Sequence, residues 1–250
     1  MTEVSGGHAE PRRMTEVPAS NATTETDTDA DAGIDGVEPE DQLRADTYRL
    51  LGRLLGTPPD DATLALLATA PTSEDDNLLA VAWRMLATTA ARTQADQVVT
   101  EYEALFIGLG RGELVPYASW YMTGYLMEKP LAELRSDMKE LGFALHDDVS
   151  EPEDHAAALC EIMALLATED DPCSPARQAK FFDTHIGPWL ARFFRDMQQA
   201  DSARFYRAVG QLGEQFIDTD QHYLEMVQRP DGAAARPNRP GLDQHRRSGA

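Results

Sequence analysis

The sequence has 250 residues, 42% of them hydrophobic, which supports one sizeable core and makes a single domain the simplest organisation. Its formal net charge of −21 argues against nucleic acid or anionic lipid as a partner and favours a basic partner, such as an arginine-bearing peptide. An acidic surface that only keeps the protein soluble explains the charge equally well.

The first forty residues are rich in Thr, Asp, Glu, Ala and Gly and lack an apolar period, so residues 1–39 are expected to form a disordered acidic extension. The tetrapeptide MTEV occurs at residues 1 and 14, which leaves Met1 and Met14 as alternative starts. No apolar run approaches the roughly 20 residues of a membrane span, and Arg12-Arg13 is followed by a polar stretch. We therefore expect a cytoplasmic protein without stable membrane insertion, and two cysteines, Cys160 and Cys173, fit a reducing compartment.

Between residues 40 and 228 the apolar residues recur with a helical period, which predicts one helical domain over this range. The first predicted helix, VEPEDQLRADTYRLLGRLLG, repeats apolar side chains on one broad face, at Leu43, Tyr48, Leu51, Leu54 and Leu55. Further helices are predicted at about 61–69, 75–91, 94–107, 118–128, 130–142, 152–168, 175–186, 188–200 and 202–227. Because no stretch alternates like a half-buried strand, the predicted fold is an all-α bundle of nine or ten helices.

The stretch EYEALFIGLGRGELVPYASWYMTG, residues 101–124, interrupts the helical pattern with a glycine-rich turn, a proline and an aromatic cluster. GLGRG resembles a phosphate-binding loop only superficially, because no strand precedes it and no GK[ST] follows. Ser119 lacks the flanking glycines of a nucleophile elbow. The aromatic residues Tyr117, Trp120 and Tyr121 offer large contact areas for a binding partner, although packing in the core is the alternative.

A second unusual stretch, EPEDHAAALCEIM, covers residues 151–163. Proline and acidic residues are typical of a first helical turn, so Glu151, Pro152, Glu153 and Asp154 indicate a helix start. His155 fits this less well, because a cationic imidazole is disfavoured there and a neutral one usually has a specific partner. For each residue an interpretation without a binding role remains open. Asp154 would then only complement the helix dipole, and His155 would be a core histidine with its hydrogen bonds satisfied.

The C-terminal part of the domain is rich in aromatic residues at helical spacing, which predicts core packing. With Trp83 from an earlier helix, these residues are Phe181, Phe182, Trp189, Phe193, Phe194, Phe205 and Tyr206. His185 precedes Gly187-Pro188, which predicts a kink between two helices and no chemical role for the histidine. Residues 229–250 are rich in Pro, Gly and Arg and are expected to form a disordered tail.

An enzyme is the competing class. Di-iron sites in helical bundles need Glu-x-x-His on two helices, whereas Glu151 and His155 are four residues apart and no second such motif exists. HxxxH, HExxH and CxxC spacings are also absent. We therefore predict no catalytic residue, no metal and no cofactor, with a metal-dependent bundle enzyme as the less favoured alternative.

Several separated motifs occur together in this chain: Glu-Tyr-x-x-Leu-Phe, the glycine-rich turn, Pro-aromatic-x-Ser-x-Tyr, Glu-Pro-x-Asp-His, FFDTHIGPWLARFF (181–194) and FYRAVGQL (205–212). In order and spacing, over about residues 42 to 228, the sequence resembles the TorD/DmsD/NarJ family of cytoplasmic redox-enzyme maturation chaperones. The resemblance implies a TorD-like helical bundle. It also implies a monomeric or homodimeric chaperone that binds the signal peptide or catalytic subunit of a molybdenum-containing oxidoreductase before twin-arginine export.

By matching motif positions, the resemblance places the peptide-binding surface at Leu105, Phe106, Pro116, Tyr117, Ser119, Tyr121, Asp154 and His155. We add Trp120 and Glu151 from the same two stretches to the predicted site. The chain departs from the family pattern at Tyr117, where tryptophan is frequent, and at Leu159, where an acid is frequent. A NarJ-like assembly factor for a non-exported molybdoenzyme and a helical adaptor without a client peptide remain alternatives.

Overall fold

The structure is a computed structural model that describes residues 38–108, 111–143, 151–168 and 175–228. These ranges contain ten α-helices: Pro39–Gly56 (α1), Asp61–Ala68 (α2), Leu78–Ala90 (α3), Ala95–Tyr102 (α4), Ala118–Thr123 (α5), Lys129–Glu140 (α6), Ala156–Thr168 (α7), Pro175–Phe181 (α8), Leu190–Gln199 (α9) and Phe205–Val227 (α10). The predicted all-α bundle is confirmed. The predicted disordered segments lie outside the described residues, apart from Glu38 and Pro39, which begin α1.

The bundle is organised around three helix pairings: α1 packs against α7, and α10 packs against both α9 and α3. The aromatic residues predicted to pack are buried, except Trp83, which is partly buried against the core. On α1, four of the five predicted face residues are buried, whereas Leu43 is 67% exposed and lies off that face. No helix within the described ranges is both long enough and apolar enough to cross a membrane.

Two helix boundaries near the predicted site differ from the sequence prediction. Helix α5 ends at Thr123 and does not continue to residue 128, because Gly124 turns into the left-handed region at φ 84°. Its N–H donates to the carbonyl of Trp120 at 2.8 Å, which closes a helix C-cap. Helix α7 begins at Ala156, four residues after the predicted start, and has no acid in its first turn. The interpretation of Pro152, Glu153 and Asp154 as a first helical turn is therefore wrong.

Other helix ends also shift. Asn77 accepts a hydrogen bond from the Ala80 N–H and starts α3 three residues later than predicted. The predicted helices at 94–107 and 175–186 each finish in a π-helical turn, at Glu103–Ile107 and Phe182–Ile186. Helices α9 and α10 begin at Leu190 and Phe205, after the predicted break at Gly187-Pro188 and after a turn at 201–204.

Candidate functional site

The two unusual stretches of the sequence meet through their backbones. The N–H of Ala118 donates to the carbonyl of Asp154 at 2.9 Å, and the N–H of Ala156 donates to the carbonyl of Pro116 at 2.8 Å. Tyr117 and His155 therefore face each other in an antiparallel bridge between two helix starts. This pairing uses the backbone of residues 154–156, which explains why α7 starts after it.

Asp154 is buried beneath this bridge, with 1% of its surface exposed. Its Oδ2 accepts a hydrogen bond of 2.8 Å from the N–H of Ser119, the second residue of α5. The carboxylate thus caps α5 from another part of the chain, where its negative charge favours the helix start. Within the described part of the chain, Asp154 Oδ1 and Ser119 Oγ are buried without a hydrogen-bond partner.

His155 caps the helix that follows it. Its Nδ1 accepts a hydrogen bond of 3.1 Å from the N–H of Ala157, which requires the proton of a neutral imidazole to be on Nε2. Burial lowers the pKa of His155 below its ordinary value of 6.5, although the charges of Glu151 and Asp154 oppose this shift. The neutral ring at this position has a specific partner, the backbone of α7 itself.

This capping geometry predicts that acid destabilises the protein partly through His155. Below about pH 6.5 the unfolded imidazole binds a proton that the folded one resists, so the free energy of unfolding should fall as the pH is lowered. His155→Asn should weaken this pH dependence while keeping a capping oxygen, whereas His155→Ala should also lose about 1 kcal/mol at neutral pH. Urea unfolding between about pH 5 and 8 measures both effects. An unchanged pH dependence in His155→Asn would contradict the assignment.

Tyr117 links the bridge to an exposed carboxylate. Its ring packs edge-on against His155, with the ring centroids 5.0 Å apart, and its hydroxyl donates to Glu151 Oε1 at 3.1 Å. Burial and the charge of Glu151 raise the pKa of Tyr117, and the same two causes raise that of Tyr102. We call Tyr102, Tyr117, Glu151, Asp154 and His155 the Tyr117 cluster. It presents half-buried aromatic rings beside the exposed Glu151 carboxylate.

Two other predicted site residues lie deeper, and a third lies at the surface. Leu105 and Pro116 are buried, and the carbonyl of Pro116 takes part in the bridge. Phe106 is half-buried, and its ring lies 4.9 Å from Tyr102 and 5.3 Å from Tyr206. Through Tyr102, Phe106 extends the aromatic surface of the Tyr117 cluster.

Trp120 and Tyr121 line a different cavity of about 520 Å³, beside α9. The guanidinium of Arg111 lies 4.8 Å above the Trp120 ring, and that of Arg192 lies 5.0 Å from the Tyr121 ring. The Tyr121 hydroxyl donates to Asp196 at 3.0 Å. The single predicted surface is therefore divided into two regions. The stacked arginines were not predicted, because the motifs that contain them, the glycine-rich turn and FFDTHIGPWLARFF, were interpreted only as a turn and as core packing.

The glycine-rich turn has a packing role. A Cβ on Gly112 would lie 2.4 Å from the carbonyl oxygen of Leu105, so the close approach of two backbone segments requires glycine there. This approach lets the N–H of Leu114 donate to that carbonyl at 2.8 Å. Among the described residues, no group of His, Cys, Asp and Glu is arranged to hold a metal ion.

Comparisons with known proteins found a family model, two curated relatives and a solved structure that are similar to this chain. A family model described as "Nitrate reductase delta subunit" matches residues 72–195. A chaperone protein TorD from Shewanella loihica is 26% identical over 73% of this chain and 93% of its own length. A chaperone protein TorD from Vibrio cholerae serotype O1 is 30% identical over 52% of this chain, which spans 63% of that relative. A crystal structure of a candidate redox enzyme maturation protein from Archaeoglobus fulgidus covers 73% of this chain and 94% of its own, with 18% identity and a TM-score of 0.43.

Proposed function

This chain belongs to the TorD/DmsD/NarJ family of redox-enzyme maturation chaperones, and on that premise we propose that it binds the N-terminal signal peptide of a molybdenum-containing oxidoreductase. The chaperone would hold the peptide in the cytoplasm until cofactor insertion is complete, before export. The observation that supports this proposal best is the Tyr117 cluster, in which half-buried aromatic rings border the exposed Glu151. The proposal gives the chain no catalytic step.

A twin-arginine signal peptide has two adjacent arginines followed by an apolar, helix-prone segment. Its receptor therefore needs an acidic surface region beside an apolar groove. In the Tyr117 cluster, Glu151 would accept an arginine, because its carboxylate is exposed and a guanidinium can bind it through two hydrogen bonds. Tyr117 and Phe106 would contact the apolar segment. Their rigid rings supply large contact areas at a small entropic cost.

We propose an indirect role for Asp154, which the resemblance includes in the peptide-binding surface. Its carboxylate is buried and bound to the α5 backbone, so we propose that it positions the peptide site together with Ser119 and His155. Leu105 and Pro116 would support the same surface from below. Trp120 and Tyr121 would contact the client from their separate cavity.

Glu151→Gln is expected to weaken the binding of a twin-arginine peptide about tenfold, because it removes one charge-assisted hydrogen-bonded pair. Raising the salt concentration should weaken wild-type binding more than binding by the variant, since screening acts mainly on the charged pair. Calorimetric titration with a synthetic peptide, two arginines followed by a leucine–alanine segment, measures the affinity.

Glu161→Gln is the matched control, because Glu161 is an exposed glutamate on α7 outside the Tyr117 cluster. Its affinity should equal that of the wild type. Binding that Glu151→Gln leaves unchanged, at low and high salt and with the variant folded, would exclude Glu151 as the arginine receptor. Failure of the wild type to bind this peptide or to co-purify with a molybdoenzyme subunit would overturn the proposed function.

A second candidate is assembly of a molybdoenzyme that is not exported. The description of the matching family model, nitrate reductase delta subunit, favours it. In that case the client segment need not carry paired arginines, and the Glu151 substitution would leave client binding intact. Co-purification from the native host, with and without the signal peptide of the client, separates the two candidates.

A further inference from the structure

The end of α5 and the segment that joins it to α6 expose an unusual amount of apolar surface. Within six consecutive residues, four large apolar side chains are 42–72% exposed: Met122, Tyr125, Leu126 and Met127. We call residues 122–127 the apolar strap. Single exposed hydrophobic residues are normal, but a contiguous group is typical of an interaction surface.

The backbone fixes the strap in this orientation. Gly124 has φ 84°, and Met127 is the one non-glycine residue in the described ranges with a positive φ, of 60°. The Oγ1 of Thr123 also accepts a hydrogen bond from the N–H of Tyr125 at 3.2 Å. A positive φ is uncommon for methionine and is unfavourable unless the surroundings maintain it, which is frequent at functional sites.

The strap adjoins the Tyr117 cluster through one cavity. Met127 lines a cavity of about 240 Å³ together with Leu131, Glu151 and Glu153. Arg135 also lines it and pairs with Glu153, its Nε and Nη2 lying 2.9 and 2.8 Å from the same oxygen, Oε2. The Arg135 side chain is 50% exposed, so this guanidinium occupies an acidic site that is open to solvent.

We infer that the apolar strap binds the apolar segment of the client signal peptide, and that Arg135 holds Glu153 until a peptide arginine displaces it. This inference rests on the proposed function. Charge complementarity selects the occupant: the exposed carboxylates of Glu128 and Glu151 border the strap, and Glu153 lies in the adjoining cavity. A second copy of this chain would bring a further set of carboxylates to the same surface, whereas a basic and apolar peptide matches both of its parts.

The inference predicts that removal of a positive charge from the chaperone strengthens its binding of a positively charged peptide. Arg135→Gln should bind the twin-arginine peptide about two- to fivefold more tightly, since an exposed ion pair with Glu153 no longer competes. The same variant should bind a peptide with two glutamines in place of the arginines as the wild type does. Tyr125→Ser combined with Leu126→Ser should weaken binding of both peptides about tenfold through lost apolar contact.

Matched controls are available on distant helices. Arg49→Gln on α1 breaks a comparable exposed pair with Asp46, and Leu66→Ser on α2 replaces a leucine that is 71% exposed. Both should leave the affinity unchanged. Wild-type binding that neither Arg135→Gln nor the strap variant alters would overturn this inference alone, whereas absence of wild-type binding would overturn the proposed function with it. A wild-type dimer that the strap variant dissociates, with peptide affinity unchanged, would assign the strap to a second copy.

Discussion

Glu101→Ala is expected to lower the free energy of unfolding by about 3 kcal/mol, because one carboxylate caps the buried start of the longest helix. Glu101 Oε1 accepts hydrogen bonds from the backbone N–H groups of Arg204 and Tyr206, both at 2.7 Å. Glu101 Oε2 accepts one from the N–H of Phe205 at 3.0 Å. Truncation leaves these donors unsatisfied at the positive end of α10. Chemical unfolding followed by circular dichroism measures the loss.

Glu103→Ala provides the matched control, since Glu103 is an exposed glutamate two residues further along the chain. It should change the stability by less than about 0.5 kcal/mol. Glu101→Gln should have an intermediate effect, because an amide offers one acceptor oxygen without a charge. Equal stabilities of the Glu101 and Glu103 alanine variants would contradict the capping role.

One acidic residue in each of two of the sequence motifs acts first on the fold. Glu101, in Glu-Tyr-x-x-Leu-Phe, caps α10, and Asp154, in Glu-Pro-x-Asp-His, caps α5. Each carboxylate joins helices that are far apart in the sequence, and this fixes the surface on which Tyr117 and Glu151 lie. If the proposed function holds, a substitution of either acid should change peptide binding through the fold, so binding assays with such variants need parallel measurements of stability.

The helical content of the fold could be predicted from the sequence because the apolar period is a local property. The two helix caps that come from distant parts of the chain could not be predicted. Asp154 and its donor Ser119 are 35 residues apart, and Glu101 and its donor Tyr206 are 105 apart. Nothing in the local sequence shows which distant helix start a carboxylate will reach. The start of α7 differs from the prediction for the same reason. Acids and proline do signal a helix start, but here the carbonyl of Asp154 accepts a hydrogen bond from Ala118 in the bridge.

The candidate site was predicted as one surface because its residues were assigned by matching motif positions, and a motif position does not show where a side chain points. Tyr117 is the N-cap of α5 and has an extended backbone, with φ −126° and ψ 135°. Its side chain is therefore out of register with the helical residues that follow, and it joins His155 and Glu151. Helix-face spacing holds only inside a helix, so a residue directly before the first turn can join a different region from the residues that follow it.

Asp220→Ala is expected to lower the free energy of unfolding by about 3 to 5 kcal/mol, because it leaves a buried guanidinium without its main partner. Asp220 is 1% exposed, and its carboxylate accepts hydrogen bonds from Arg44 and, at 2.7 Å, from the hydroxyl of Tyr48. Burial lowers the pKa of Arg44, but hydrogen bonding and attraction to Asp220 raise it above its ordinary value. The guanidinium therefore stays charged. Asp218→Ala, an exposed aspartate on the same helix, should have little effect in the same unfolding experiment.

A double variant distinguishes the loss of the Arg44–Asp220 interaction from the cost of burying Arg44 without Asp220. If most of the loss arises because the buried Arg44 keeps only Asp41 and Gln178 as hydrogen-bond partners, Arg44→Met combined with Asp220→Leu should recover much of it, since apolar side chains of similar volume need no partner. The Tyr48 hydroxyl would lose its acceptor in this variant, so recovery should remain incomplete by about 1 to 3 kcal/mol. A double variant no more stable than Asp220→Ala would instead show that the ion pair itself, with its hydrogen bonds to Tyr48 and Gln178, stabilises the contact of α1 with α10.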